Sequence, residues 1–305
     1  MSEELKEKLK SPVITTPLLV IFVITAMQLS KYALASLDSD TNVFVAVGIV
    51  QLATLAIPCM AYYLLKGRRL EESMYLLPRG GTHLLFTFFA AMLFISGMLL
   101  IKFFYFVNGG EVASLVNFYQ DFSGTAEGSG HIEIILSLIV IPAFCEELFF
   151  RGIVFSEYRK YGTANAVIIS AICFAMLHFS IENMVIYLFT GLLLGFVTAV
   201  TRTIIPSILL HLLSNTLSIY ASDAFLRVTV VKNGAFFIGF VLVMLTGASL
   251  LLLLSRTESI FFSYSDRPPV EAIPPKSRKN ALRVFFSPTF LLLVVAFITV
   301  SILLK

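Results

Sequence analysis

The sequence predicts an all-α fold: a polytopic transmembrane helical bundle with about eight to nine spanning helices. Three observations carry this. Hydrophobic residues make up 58% of the 305 positions and charged residues only 13%, where a soluble domain carries roughly a quarter charged. Mean hydropathy is +0.90. Apolar runs of about 20 residues, the length a helix needs to cross a bilayer, recur along the chain. A surface so poor in charge faces lipid, and the length leaves room for one membrane domain, 1–305, without a sizeable soluble one. Net charge is +3 and no basic patch interleaves with aromatics, so nucleic acid is not an expected partner; the lipid bilayer is.

Nine candidate spans follow in order: 13–34, 43–65, 83–106, 132–156, 163–180, 184–201, 204–221, 234–255 and 287–304. The first follows a segment, Met1 to Lys10, charged with both signs. Ala33-Leu34-Ala35 imitates a signal-peptidase site, but the apolar run before it is longer than a signal h-region. It reads as a retained helix. The sixth and seventh spans meet at Arg202-Thr203, a junction so tight that they form an antiparallel hairpin. Pro206 stands near the start of the seventh, where a missing N–H costs little. The ninth carries no assigned role.

Orientation follows the Lys/Arg bias. Lys8, Lys10, Lys66, Arg68, Arg69, Arg159, Lys160 and Arg202 all fall on one side if the N-terminus is cytoplasmic and nine helices cross. Arg256, Arg267, Lys276, Arg278, Lys279 and Arg283 join them after the eighth span. Asp38, Asp40, Glu111, Asp121, Glu127 and Asp223 occupy the opposite loops. The longest expected loops are Asn108–His131, Gly/Ser-rich and acidic, and Thr257–Phe286, with Pro268-Pro269, Pro274-Pro275 and a basic cluster. That cluster reads first as the positive-inside signal, with binding to anionic headgroups as the sharper reading. A compact chain without an organelle address fits a prokaryotic plasma membrane. Nothing in the chain assigns an oligomeric state. Its end, Leu303-Leu304-Lys305, is no prenylation motif.

Cys59, Cys145 and Cys173 each sit in an apolar stretch, without metal-pair spacing or a disulfide framework, and read as buried inert thiols. Cys145 adjoins Glu146, but helical neighbours point about 100° apart.

Chemistry enters with six side chains that an apolar helix should not carry. A charge at mid-membrane costs a few kcal/mol and normally faces a protein interior or an aqueous cavity. In the fourth span, Glu147 and Arg151 stand four apart with the acid first, the favourable order for a helical ion pair. Arg151 is expected to neutralise Glu147 and leave it a positioning role. Glu146 has no local partner, and a carboxylate withdrawn from water is a suitable general base near neutral pH. His178 stands in the fifth span, and His211 with Asn215 in the seventh. Spacing i, i+4 puts the last two on one helix face. The bland reading makes the acids anchors of a helix end and His178 a satisfied interior residue.

The sharper reading is peptide hydrolysis. Glu146 takes a proton from water with His178 helping to hold it, and His211 and Asn215 donate to the oxyanion, a class of contact worth about two to four kcal/mol of barrier per donor. Alternatively Glu146, His178 and His211 hold one Zn2+ with an open position for water. No His-Glu-x-x-His helix motif is present, and water activated by glutamate with no cofactor required is the favoured form.

The pattern Glu146-Glu147-x-x-x-Arg151, Phe174-x-x-x-His178 and His211-x-x-x-Asn215 resembles the CAAX protease and bacteriocin-processing (CPBP) family of intramembrane proteases, which includes the type II CAAX prenyl endopeptidases. The resemblance covers residues 132–221 and implies that these form a catalytic four-helix core. It further implies a cavity open towards the cytosol and membrane, Glu146 as water activator, and His178, His211 and Asn215 around it. Members are often classed as metalloendopeptidases, with the metal disputed. The implied partner is a membrane-associated protein or peptide substrate. Glu182 is outside the pattern and reads as a loop residue on the far side. Two other classes stay open: a non-catalytic membrane regulator that binds a partner such as a sensor kinase, and a proton-coupled transporter, which buried Glu and His also build but which often shows paired inverted repeats; none is visible here.

Overall fold

A computed structural model describes residues 11–35, 42–66, 83–108, 131–181, 183–220, 234–263 and 277–303. Among these the regular structure is helical, with no strand. In a span, a helix satisfies every backbone donor and acceptor without water, which lipid cannot supply.

All nine apolar stretches form helix, but not all are long enough to cross. Five helices pass on length and composition: Pro12–Ser30, Val43–Leu65, His83–Tyr105, Met184–Thr201 and Phe236–Ile260. A sixth passes if Lys279–Phe285 and Pro288–Ile302, bent by 46°, count as one span. The expectation of eight to nine crossings is not confirmed on this measure, for two reasons. The helices Thr163–Leu177 and Ile205–Tyr220 have only 15 and 16 residues, about 23 Å at 1.5 Å per residue, short of a roughly 30 Å hydrocarbon core. The stretch 131–161 is not one regular helix.

That stretch carries Glu146 and Glu147. The α-helix Ile141–Glu147 lies between π-wound turns, Ile135–Val140 before it and Leu148–Phe155 after. Pro142 contributes to the first break, because a proline has no N–H to return along an α ladder. π turns pair i with i+5 and occur often at functional sites. Phe149, Phe150, Phe155 and Tyr158 from this region pack with Phe174, with Val20 and Val23 of the first helix, and with Phe290 and Leu293 of the last. The last hydrophobic segment thus has a place: Thr289 Oγ1 donates to the Val13 carbonyl at 2.5 Å.

The hairpin at Arg202 forms as expected. Arg202 adopts the left-handed conformation, φ 53°, which reverses the chain between Met184–Thr201 and Ile205–Tyr220. The two helices are pinned by a Thr198–Ser207 hydroxyl bond of 2.7 Å and by Ser207 Oγ donating to the Leu194 carbonyl.

The long loop expected at Thr257–Phe286 is shorter than that, because helix continues through Ala235–Ser263 and resumes at Ser277–Phe285. The paired prolines between lie outside the described residues, as do 109–130, Glu182 and the six acidic residues assigned to the opposite loops.

Candidate active site

The π-wound helix sets two carboxylates inside the bundle. Glu147 and Arg151 are both fully buried, and Arg151 Nη1 donates to Glu147 Oε1 at 2.7 Å. The guanidinium goes further than the sequence spacing indicates. Its Nη2 donates to the Gly191 carbonyl at 3.1 Å, and its plane lies 4.9 Å from the Phe174 ring centroid. Gly191 permits this approach. A Cβ there would stand 2.8 Å from the Ala171 Cα and 3.0 Å from the Ala171 carbonyl oxygen, so only glycine lets the Thr163–Leu177 and Met184–Thr201 helices close up.

Glu147 also contacts His211, 64 residues on: Nδ1 of the imidazole lies 2.9 Å from the same Oε1. A carboxylate on one ring nitrogen fixes the proton there and turns the other nitrogen to its task. That other atom, Nε2, lies 3.9 Å from Glu146 Oε2, a buried oxygen with no hydrogen-bond partner. A buried polar atom left unsatisfied costs free energy, and such a cost is tolerated where function uses the atom. Glu146, Glu147, Arg151 and His211 therefore form one connected group.

His178 and Asn215 reach the same place by another route. The helix Thr163–Leu177 stops at His178, after which Phe179 takes φ 48°, so His178 caps the helix rather than sitting within a span ending at 180. Its Nδ1 bonds the Phe174 carbonyl at 3.0 Å, and its ring stacks on Tyr187, centroids 3.9 Å apart at 20°. Phe174 touches both imidazole rings, at 4.9 and 5.6 Å. The Asn215 carboxamide donates to the Ile139 carbonyl at 3.4 Å, which leaves the second N–H of the group for other use. His178, His211 and Asn215 line one cavity of about 70 Å³, room for a few waters.

Three lining or supporting residues escaped the sequence reading. Gly191 and Tyr187 carry no signal in an apolar run. Lys102 does: it is a cation inside the 83–106 stretch, and it lines the cavity together with Ser218. Lys102, Asn183 and Ser218 set the cavity towards the helix ends at Val107 and Tyr220.

A zinc centre built on Glu146, His178 and His211 does not fit this arrangement. Among the described residues no three His, Cys, Asp or Glu side chains are grouped so as to hold a metal ion. The three cysteines are buried and free.

Residues 129–217 match the family described as type II CAAX prenyl endopeptidase Rce1-like. The similarity is confined to this Rce1-like stretch, which is less than half of the chain. That stretch contains all six candidate site residues: Glu146, Glu147, Arg151, His178, His211 and Asn215. No curated protein and no solved structure matches the chain. The matched segment begins just before the π-wound helix and ends within the second arm of the Arg202 hairpin, so it supplies most of the cavity wall, while Met98, Lys102 and Ser218 of that wall lie outside it.

Proposed function

We propose that this integral membrane protein is an intramembrane endopeptidase that cleaves a membrane-associated protein or peptide. The observation that carries the reading is the Arg151–Glu147–His211 chain ending beside an unpartnered, buried Glu146 carboxylate. Separated by 3.9 Å, Glu146 Oε2 and His211 Nε2 can share one water at ordinary hydrogen-bond length, about 2.8 Å from each. Glu146 takes a proton from that water as its oxygen attacks the scissile carbonyl carbon. The same proton passes to the leaving amine nitrogen as the C–N bond breaks, so the carboxylate is regenerated.

The other residues position and stabilise. Glu147 holds the His211 tautomer, as the carboxylate does in a catalytic triad, and Arg151 balances its charge. The second N–H of Asn215 and, since Nδ1 of His178 donates to the Phe174 carbonyl, the Nε2–H of a protonated His178 ring supply groups on the cavity wall for the oxyanion, each donor worth about two to four kcal/mol of barrier. Relative to the sequence reading, His211 moves to the water and His178 towards the oxyanion. No cofactor takes part in these steps. The Lys/Arg distribution supports a cytoplasmic N-terminus.

Comparative proteomics of cells carrying the wild type or the Glu146→Gln variant tests this. A membrane-associated peptide whose processing disappears in the variant is the expected result. Unchanged processing would favour a non-catalytic, partner-binding role.

A further inference from the structure

The cavity is longer than the chemistry at Glu146 needs. His211, Ser214, Asn215 and Ser218 line it from the Ile205–Tyr220 helix, a spacing that puts all four on one face. From first to last that face rises about 10 Å. Met98 and Lys102, one turn apart, line the cavity from His83–Val107. That helix runs antiparallel to Met184–Thr201: Phe86 lies beside Phe196, Phe94 stacks on Phe189, and Met98 Sδ accepts from Thr190 Oγ1. One turn beyond Met98, Lys102 therefore comes level with Ile186, and Asn183 lies just past it. The Arg151–Glu147–His211 chain is anchored instead at the Gly191 carbonyl. Lys102 and Asn183 thus form the end of the cavity away from the paired carboxylates, about 10 Å along the bundle.

That end offers a cation and an unmet acceptor. Lys102 is partly buried, lines the cavity, and forms no ion pair with any described residue. A cation within an apolar helix is tolerated where it meets water or an anion. Asn183 is 2% exposed, and its Oδ1 has no hydrogen-bond partner, while its Nδ2 donates to Ser180 Oγ. Asn183 also opens the Met184–Thr201 helix, whose positive dipole end favours negative charge. A bare inorganic anion would satisfy Lys102 and the dipole but leave the Asn183 oxygen unmet. A peptide brings both a carboxylate and the backbone N–H that this oxygen lacks. We propose that Lys102 and Asn183 form a substrate-recognition subsite that takes a carboxylate of the bound peptide, from an acidic side chain or a chain terminus. Extended chain covers about 3.3–3.6 Å per residue, so that carboxylate lies about three residues from the bond cleaved. The inference rests on the peptidase reading and adds to it what the substrate must present. Lys102 lies outside residues 129–217, so the family match does not assign it.

Fluorescein-labelled octapeptides of alanine and leucine test this on the full-length protein in detergent. Three forms are compared: a free carboxyl terminus, a terminal amide, and the amide with one aspartate at each position in turn. Fluorescence anisotropy should show a carboxylate tightening binding about tenfold or more over the plain amide. A gain for the free terminus alone identifies a chain end as the ligand, and a gain for one aspartate position identifies a side chain. Lys102→Met keeps the length and the apolar stem but removes the charge, and should abolish the preference; Lys102→Arg should retain it. Should Lys102→Met melt below the wild type, Lys102→Gln is scored in its place. Equal binding of all forms by the wild type overturns the proposal without any variant. A preference that survives loss of the Lys102 charge overturns it too, and leaves the lysine only reaching for the membrane surface. Anisotropy does not read proteolysis, so the two readings fail separately. A failed peptidase reading shows as unchanged processing in the Glu146→Gln proteomic comparison with the carboxylate preference intact. A failed subsite shows as processing lost in that comparison with no preference among the peptides.

Discussion

At the residue scale the site works through one shared oxygen. Glu147 Oε1 accepts from both Arg151 and His211, so a single carboxylate fixes the cation and the imidazole together. Glu146→Gln keeps size and hydrogen bonding but removes the proton acceptor; cleavage should vanish while insertion and purified yield stay normal, as an in vitro peptide assay beside size-exclusion chromatography would show. Retained cleavage would exclude the general-base role. Glu147→Gln should lower turnover by about 10- to 100-fold, the usual cost of removing a group that orients a catalytic one, with KM little changed. Arg151→Ala leaves Glu147 buried without its cation, a class of change that costs about 3–5 kcal/mol, and yield should fall along with activity. Full yield would show that the pair does not stabilise the fold.

These six candidate residues were legible in the sequence because polar and charged groups inside apolar runs stand out there; Lys102 breaks the same rule and was passed over. The Glu147–Arg151 bond was legible too, since a four-residue spacing is local. The Glu147–His211 contact was not: it joins positions 64 apart, and no periodicity encodes which imidazole meets which acid. Tyr187 and Gly191 were hidden for a plainer reason, being unremarkable residues of a span until the fold brings His178 and Arg151 against them.

At the element scale the close approach of Thr163–Leu177 to Met184–Thr201 holds the site together. Gly191→Ala puts a methyl 2.8 Å from a backbone atom of Ala171, which cannot yield as a flexible side chain would. Overpacking of this kind costs about 1–3 kcal/mol, and it also displaces the carbonyl that Arg151 reaches. The melting temperature in detergent should fall, with turnover falling more than yield. An unchanged melting temperature would mean the helices slide apart freely. The nine apolar helices were legible from hydropathy, but two features among them were not. The π turns on either side of Ile141–Glu147 leave no periodic trace beyond Pro142, and the Thr163–Leu177 helix stops at His178 without a glycine to announce it, Phe179 taking the left-handed turn instead.

At the scale of the whole molecule, the mechanism proposed here needs no metal. Dialysis against a strong chelator followed by elemental analysis should leave full activity without stoichiometric zinc; activity lost on chelation and restored by zinc alone would overturn that. The class of fold was legible from composition alone, because so little charge over so many residues admits only a bundle in lipid. The count of crossings is not confirmed, because two of the helices at the site have only 15 and 16 residues.

The bond from Thr289 to Val13 closes the chain across 276 positions. During synthesis the first helix enters the bilayer with its eventual neighbour not yet made, and one side of it stays unfilled until the last segment arrives. The assembly is therefore sealed by its final helix, and a chain stopped before Pro288 would hold every group of the Rce1-like segment yet lack the strut that braces it.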